Sequence, residues 1–337
     1  MNQRAVTIDR PGALRVEAVA PASPGPGEAL IRVAYSGICG SDREVFTGGR
    51  PAGLVTYPVV PGHEWSGTVT AVGSDVDTGL VGQRVVAEGF RGCQRCSSCR
   101  RGENNLCESG YDETGFTRPG AWSDELVVPA RLLHVLPADA DLRSAAALEP
   151  SACVAEACLR LGSVSGERVA VVGGGSIGLL GTQLLAAMAP AEVVVVEPSS
   201  ARAELAVECG ATTVITPREA LQRIGRFDTV LEAAGARGTA DLAARLARRG
   251  GRLALTGVPG DAEDAIPTVH LVATQLTVHT VFGAPSRAWT HAVRMFGIGR
   301  LDPGLIVTHE YALDDAQSAL DTLESGRDDV VKILLKP

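Results

Sequence analysis

Four of the chain's eight cysteines fall in one short stretch, GCQRCSSCRRGENNLC, residues 92–107. Cys93, Cys96, Cys99 and Cys107 are separated by two, two and seven residues. Disulfides fit this spacing poorly, because cysteines so close together would each need a distant partner, and a reducing compartment disfavours them. A ferredoxin-type iron–sulfur run would carry Pro after its fourth Cys, whereas Glu108 follows Cys107. Four thiolates around one zinc ion at about 2.3 Å satisfy the spacing best. Such a site has no open coordination position, so the lobe at 91–108 is expected to be tied down by a structural zinc and to do no chemistry.

A second donor set is spread along the chain. Cys39 follows a strand-like run in AYSGICGSD, and His63 and Glu64 follow a Pro-Gly turn in YPVVPGHEWSGTV. Thiolate, imidazole and carboxylate together are the mixed ligand set of a catalytic zinc, which keeps a position open. Glu149, in LEPSACVAEACL, is a further acid embedded in an apolar segment, where an unpaired charge is costly.

These side chains need elements to hold them. From about residue 167 the segment ERVAVVGGGSIGLLGTQLL reads as a buried strand, a glycine turn and a helix. Gly173, Gly175 and Gly178, with Ser176 and Ile177 between them, fit the dinucleotide-binding fingerprint G-x-G-x-x-G. A second strand, AEVVVVE, ends in Glu197, where a carboxylate can hold the adenosine ribose hydroxyls and repel a 2′-phosphate. This favours NAD over NADP. Arg202 is the nearby residue that would argue the other way, and it is read as a solvated helix residue. Further strands in ATTVIT, FDTVLEAAG, GGRLALTGV and LTVHTVF alternate with helical stretches such as GTADLAARLARRG, the pattern of a doubly wound parallel sheet.

The 337 residues suit two domains, and 45% hydrophobic against 21% charged residues suits a large core. A net charge of -8 with scattered arginines disfavours a nucleic-acid partner. No signal-like segment or charge-free apolar run of membrane length is seen, so a cytoplasmic protein without a membrane span is expected.

GICGSD, PGHEWSGTV, the four-cysteine lobe, VAVVGGGSIGLLGTQLL and the closing VVKILLKP follow one another in an order that resembles the zinc-dependent medium-chain dehydrogenases. The resemblance implies an α/β chain: a GroES-like, mostly β catalytic domain at 1–150, a Rossmann NAD-binding domain at 151–285, and a return segment at 286–337 that completes the catalytic domain. It implies that Cys39 and His63 bind a catalytic zinc, that Glu64, Glu149 or each in turn supplies the carboxylate of the polyol-dehydrogenase branch, and that Asp42 orients His63. Ser41 matches the hydroxyl that takes the substrate proton. Cys153 and Ile177 match positions near the nicotinamide. Two departures stand out. Glu44 occupies a position where many relatives have a proton-relaying His, and Glu156 another where polyol relatives often carry His. With Glu64 and Glu149 they suggest an acidic pocket favouring a polyhydroxylated alcohol that bears ammonium groups. CGSD, YPVVPGHEWSGTV and GFTRPGA look most like dehydrogenases of aminocyclitols and amino sugars in aminoglycoside antibiotic pathways, with sorbitol-type and threonine-type dehydrogenases as alternatives. A regulator that binds NAD but no longer catalyses is disfavoured, since the zinc ligands and Ser41 are in place. Relatives pair as homodimers or homotetramers, and the apolar strand QLTVHTVFG is a candidate seam or an interior strand.

Overall fold

The structure, a computed structural model, describes residues 3–258 and 264–337. The chain forms two compact units: residues 1–149, 285–293 and 307–337 in the first, 150–284 and 294–306 in the second.

The first unit is built on β-strands. β1 (Gln3–Arg10) and β2 (Ala13–Val19) form an antiparallel hairpin. They are followed by β3 (Glu28–Ile38), β4 (Trp65–Val72), β5 (Arg84–Ala87), β6 (Glu125–Pro129) and β7 (Leu133–Val135). β3 pairs antiparallel with β4 and with β6, and β4, β5 and β7 continue the sheet. Inward-facing Ile31, Val33, Val69, Val85, Leu126 and Val128 form one core beneath it.

The second unit is a six-stranded parallel sheet: β8 (Arg168–Val172), β9 (Glu192–Val196), β10 (Thr213–Ile215), β11 (Phe227–Glu232), β12 (Ala247–Leu255) and β13 (Thr277–Thr280), in the order β10-β9-β8-β11-β12-β13. The RVAVV and EVVVV runs are buried almost throughout, as strands covered on both faces must be. The helical stretch in GTADLAARLARRG is shorter than the sequence suggests. It spans Thr239–Leu246, and Ala247 already pairs with Phe227 at the start of β12. β13 lies at the sheet edge, so the QLTVHTVFG strand is not an interior one.

The expected return at 286–337 is not one stretch. A helix spans Ser286–Gly297, yet residues 294–306 group with the second unit. β14 (Val307–Ala312) and β15 (Lys332–Lys336) then complete the first unit's sheet, with β15 antiparallel to β3. Among the described residues no helix is long and apolar enough to cross a membrane.

Candidate active site

Three strand ends converge on one point. β3 stops at Ile38 and hands the chain to Cys39, which precedes the helix Gly40–Thr47. β3 pairs with β4 in a register that puts Ser36 opposite Trp65, and the Gly37 N–H donates to the Glu64 carbonyl at 2.8 Å. Residues 63 and 64 therefore lie beside residue 39. One donor atom each from Cys39, His63 and Glu64 falls within 4.8 Å of the others. Asp42 backs the group: its Oδ2 accepts from the Cys39 N–H at 2.8 Å, and its Oδ1 lies 3.5 Å from His63 Nδ1. That contact leaves Nε2 as the ring nitrogen for a metal.

The electrostatics ask for a cation. Burial opposes a charge on the His63 ring, but Asp42 and Cys39 outweigh it and hold the imidazole well above its ordinary value. A zinc ion would supply that positive charge, so the donor set and its surroundings fit the metal.

Lys332, the first residue of β15, is the partner the sequence did not reveal. Its Nζ donates to both Glu64 carboxylate oxygens, at 2.8 and 2.7 Å, and to the Ile38 carbonyl at 3.2 Å. Lys332 and Lys336 are the only lysines in the chain. The signal lay in VVKILLKP, where a lysine occupies a position otherwise filled by core residues. Glu149 opens the helix Leu148–Leu161, and its charge acts on both Lys332 and Glu113. It is not in the close donor group, while Glu64 is in that group but already engaged by Lys332.

A second set of side chains lies against His63. The Phe116 ring packs on the imidazole, with centroids 4.7 Å apart, and the Arg50 guanidinium lies 3.7 Å from the Phe116 centroid. Arg50 donates to the Tyr111 hydroxyl at 2.6 Å and to the Leu54 carbonyl, and Tyr111 donates to the buried Glu113 carboxylate. Burial pushes Glu113 up to about 7. An acid whose folded pKa is raised destabilises the protein as pH climbs through 4.5 towards 7, because folding disfavours the ionised form. Glu113→Gln is therefore expected to stabilise the protein at pH 8 by up to about 3 kcal/mol and to be near neutral at pH 4.5, as read from urea midpoints at the two pH values.

Ser41 lies half-buried in the first turn of the helix that Cys39 opens. Glu44 is on the same helix with a 43% exposed side chain, 3.7 Å from Arg50. Glu156 is buried and accepts from Arg160 Nε at 2.6 Å. Glu44, Glu64 and Glu156 thus each have a cation nearby, which lowers the negative charge expected from counting acids. Cys153 is half-buried on the helix Leu148–Leu161.

In the cysteine lobe, Cys93, Cys96, Cys99 and Cys107 bring their sulfurs within 4.8 Å of one another. The Cys93 and Cys99 sulfurs are 4.0 Å apart, close to the edge of about 3.8 Å for a tetrahedron of 2.3 Å zinc–sulfur bonds and far beyond a disulfide. Ser109 and the Arg95 and Cys96 amides push the Cys93 thiol down to about 5, the thiolate a metal needs, while burial pushes Cys99 up to about 12. The lobe is docked through buried Glu88, which accepts from Asn104 Nδ2 at 3.1 Å and Ser286 Oγ at 2.9 Å.

In the second unit, the glycine turn joins β8 to the helix Ser176–Ala186. Gly175 precedes that helix, and Gly175, Ser176 and Ile177 are half-buried on the turn. A Cβ on Gly178 would lie 1.8 Å from the Gly173 carbonyl oxygen, so only glycine permits this packing of helix on turn. Glu197 follows β9, and its carboxylate accepts from the Gly174 N–H at 2.6 Å and the Ser199 N–H at 2.9 Å. The Arg202 amide donates to the Ser199 hydroxyl, which caps the helix Ser200–Glu208.

Residues 25–138 match the family model "Alcohol dehydrogenase GroES-like domain", and residues 176–297 match "Zinc-binding dehydrogenase". The chain is 28% identical to a sorbitol dehydrogenase of Bacillus subtilis, over 100% of this chain and 98% of that one. It is 32% identical to an L-threonine 3-dehydrogenase of Deinococcus deserti, over 90% of each. A crystal structure of a zinc-binding dehydrogenase of Sinorhizobium meliloti bound to NADP is similar with a TM-score of 0.92 and 29% identity, over 100% of both chains. The chain belongs to the zinc-type medium-chain alcohol dehydrogenase family, with a GroES-like domain and a Rossmann-type domain.

Proposed function

We propose that the protein oxidises a secondary hydroxyl of a polyhydroxylated alcohol to a ketone, with NAD as acceptor and zinc at Cys39 and His63. The observation that carries this reading is the close group of Cys39, His63 and Glu64, with Asp42 behind the imidazole. When bound there, zinc would act as a Lewis acid on the reacting hydroxyl. The residues supply the rest: Asp42 fixes the ring, Ser41 takes the substrate proton, Lys332 holds Glu64, and Phe116 bars water from one face of His63. Glu149 is the carboxylate we assign to the metal, since Lys332 already engages Glu64. Glu44, exposed and beside Arg50, passes the proton outward. A second zinc holds Cys93, Cys96, Cys99 and Cys107.

The amino-bearing class of substrate rests on the resemblance of CGSD, YPVVPGHEWSGTV and GFTRPGA to dehydrogenases of aminocyclitols and amino sugars. The test is NAD reduction with aminocyclitols, amino sugars, simple polyols and threonine. Preference for ammonium-bearing polyols supports the finer reading. Strong turnover of sorbitol or threonine with none of amino sugars overturns it in favour of a primary-metabolic dehydrogenase, and no turnover of any alcohol favours the catalytically silent regulator.

NAD over NADP rests on Glu197, whose carboxylate would meet a 2′-phosphate. NAD is expected to be preferred by at least about a hundredfold in kcat/KM, and Glu197→Ala to cut that preference by about tenfold or more. Equal use of both cofactors by the unaltered protein would contradict the assignment. We place a homodimer seam along edge strand β13, near exposed Val269, Val272 and Phe282. The free thiols fit a cytoplasmic setting.

A further inference from the structure

We infer that Glu232 is a positioning residue for the nicotinamide half of the dinucleotide, an inference that rests on the cofactor reading above. Glu232 ends β11, and its side chain is buried. Its Oε1 accepts from the N–H groups of Ala234 (3.0 Å) and Gly235 (2.9 Å) and from Thr239 Oγ1 (2.8 Å), whose one proton is shared with the Ala236 carbonyl (2.6 Å), and its Oε2 accepts from the Gly257 N–H (3.2 Å). Its carbonyl accepts from the N–H of Thr256 at 3.0 Å and from Thr256 Oγ1 at 2.7 Å. One residue thus ties the turn after β11 to the end of β12, some two dozen residues on.

The two turns touch backbone to backbone. A Cβ on Gly257 would lie 2.3 Å from the Gly235 nitrogen and 2.6 Å from Glu232 Oε2. The glycine turn after β8 packs on the same place, since a Cβ on Gly173 would lie 2.9 Å from Ala234, and the Ala233 N–H donates to the Val172 carbonyl. The carboxyl ends of β8, β11 and β12 are therefore locked together, and Glu232 is the hub.

Their place in the sheet gives the hub a role. From β8 the strand order runs one way through β9 to β10, and the other way through β11 to β13. Ligands of such sheets bind outside the carboxyl ends at that reversal. Glu197, beyond β9, takes the adenosine side, so the other mononucleotide half falls over the ends of β11 and β12. A buried carboxylate there needs several donors, and four backbone and hydroxyl groups provide them. The carboxylate is buried and does not meet the cofactor itself. It sets the backbone surface on which the nicotinamide ribose rests.

Glu232→Gln isolates this role. The amide oxygen can still serve Ala234, Gly235 and Thr239, but its NH2 then faces the Gly257 N–H, donor against donor, and releases the end of β12. NADH binding is followed by NADH fluorescence, AMP binding by calorimetry, and folding by thermal unfolding. The expected result is a rise in the NADH Kd of about tenfold, with AMP Kd nearly unchanged and an unfolding midpoint lowered by only a few degrees. An unchanged NADH Kd in the folded variant overturns the inference. Equal weakening of NADH and AMP also overturns it, since it makes Glu232 a general support of the fold. Should Glu232→Gln not fold, Thr239→Val removes one donor from the same hub, and an unchanged NADH Kd there has the same meaning. If the unaltered protein binds neither NADH nor NADPH, the cofactor reading has failed first, and that is visible without any variant.

Discussion

Cys39→Ala should lower kcat/KM for the best alcohol by at least about a thousandfold while the protein stays folded. Lewis-acid stabilisation is worth several kcal/mol, and about 4 kcal/mol corresponds to a factor of a thousand. Cys39 is the thiolate of the close donor group, placed by the end of β3 and held by the Asp42 carboxylate on its amide. Without it His63 still has Asp42 and Glu64 still has Lys332, so little packing is lost, but the imidazole and Glu149, the carboxylate assigned to the metal, are a poor metal site on their own. Circular dichroism and NADH binding should be close to those of the unaltered protein, because the dinucleotide turn is in the other unit. A variant that keeps a tenth or more of the original kcat/KM would show that the chemistry does not depend on this centre.

Lys332→Met should destabilise the protein by about 3–5 kcal/mol, the cost of stripping the partner from a buried charge. Glu64 is fully buried, and both its oxygens rest on Lys332 Nζ. Methionine keeps most of the stem and removes the charge, so packing loss is small. Glu64→Gln in the same chain should recover at least half the loss, since it removes the orphaned carboxylate. The pH dependence is specific. Burial pushes the Lys332 ammonium down, but Glu64 and Cys39 outweigh it and raise its pKa above 10.5. A base with a raised folded pKa contributes its full stabilisation below the unfolded value and loses it only at higher pH. The ammonium's own contribution is therefore the same at pH 6 and pH 8, whereas an orphaned buried carboxylate is relieved by protonation, so the destabilisation should be no larger at pH 6 than at pH 8 in urea unfolding. A loss under 1 kcal/mol would mean that Glu64 has another partner when metal is bound.

The sequence disclosed what is local. Cys93, Cys96, Cys99 and Cys107 lie close in the chain, so their spacing alone pointed to the cluster in which their sulfurs fall within 4.8 Å of one another. The glycine turn and Glu197 are consecutive features of one strand–turn–helix–strand unit and were legible for the same reason. Groups that meet through long-range pairing were not. Lys332 reaches Glu64 across 268 residues because β15 pairs with β3, and no local pattern encodes that. Arg50, Tyr111, Phe116 and Glu113 gather at His63 through tertiary packing, and each alone reads as an ordinary loop residue. The same blindness inflated the acidic pocket. Glu44, Glu64 and Glu156 look like bare acids in the sequence, yet each stands beside a basic residue in the fold. The helix in GTADLAARLARRG was overrun at its end because ARR is helix-forming by propensity, while pairing of Ala247 with Phe227 claims it for β12.

The central claim is that this chain carries one closed and one open zinc site. The most direct measurement is metal content by mass spectrometry on the unaltered protein, Cys39→Ala and Cys96→Ala. Two zinc ions per chain are expected, falling to one in each variant, with kcat/KM down at least about a thousandfold in Cys39→Ala alone. A single zinc in the unaltered protein that survives Cys39→Ala and disappears in Cys96→Ala would contradict it, leaving a structural lobe and no metal at Cys39 and His63.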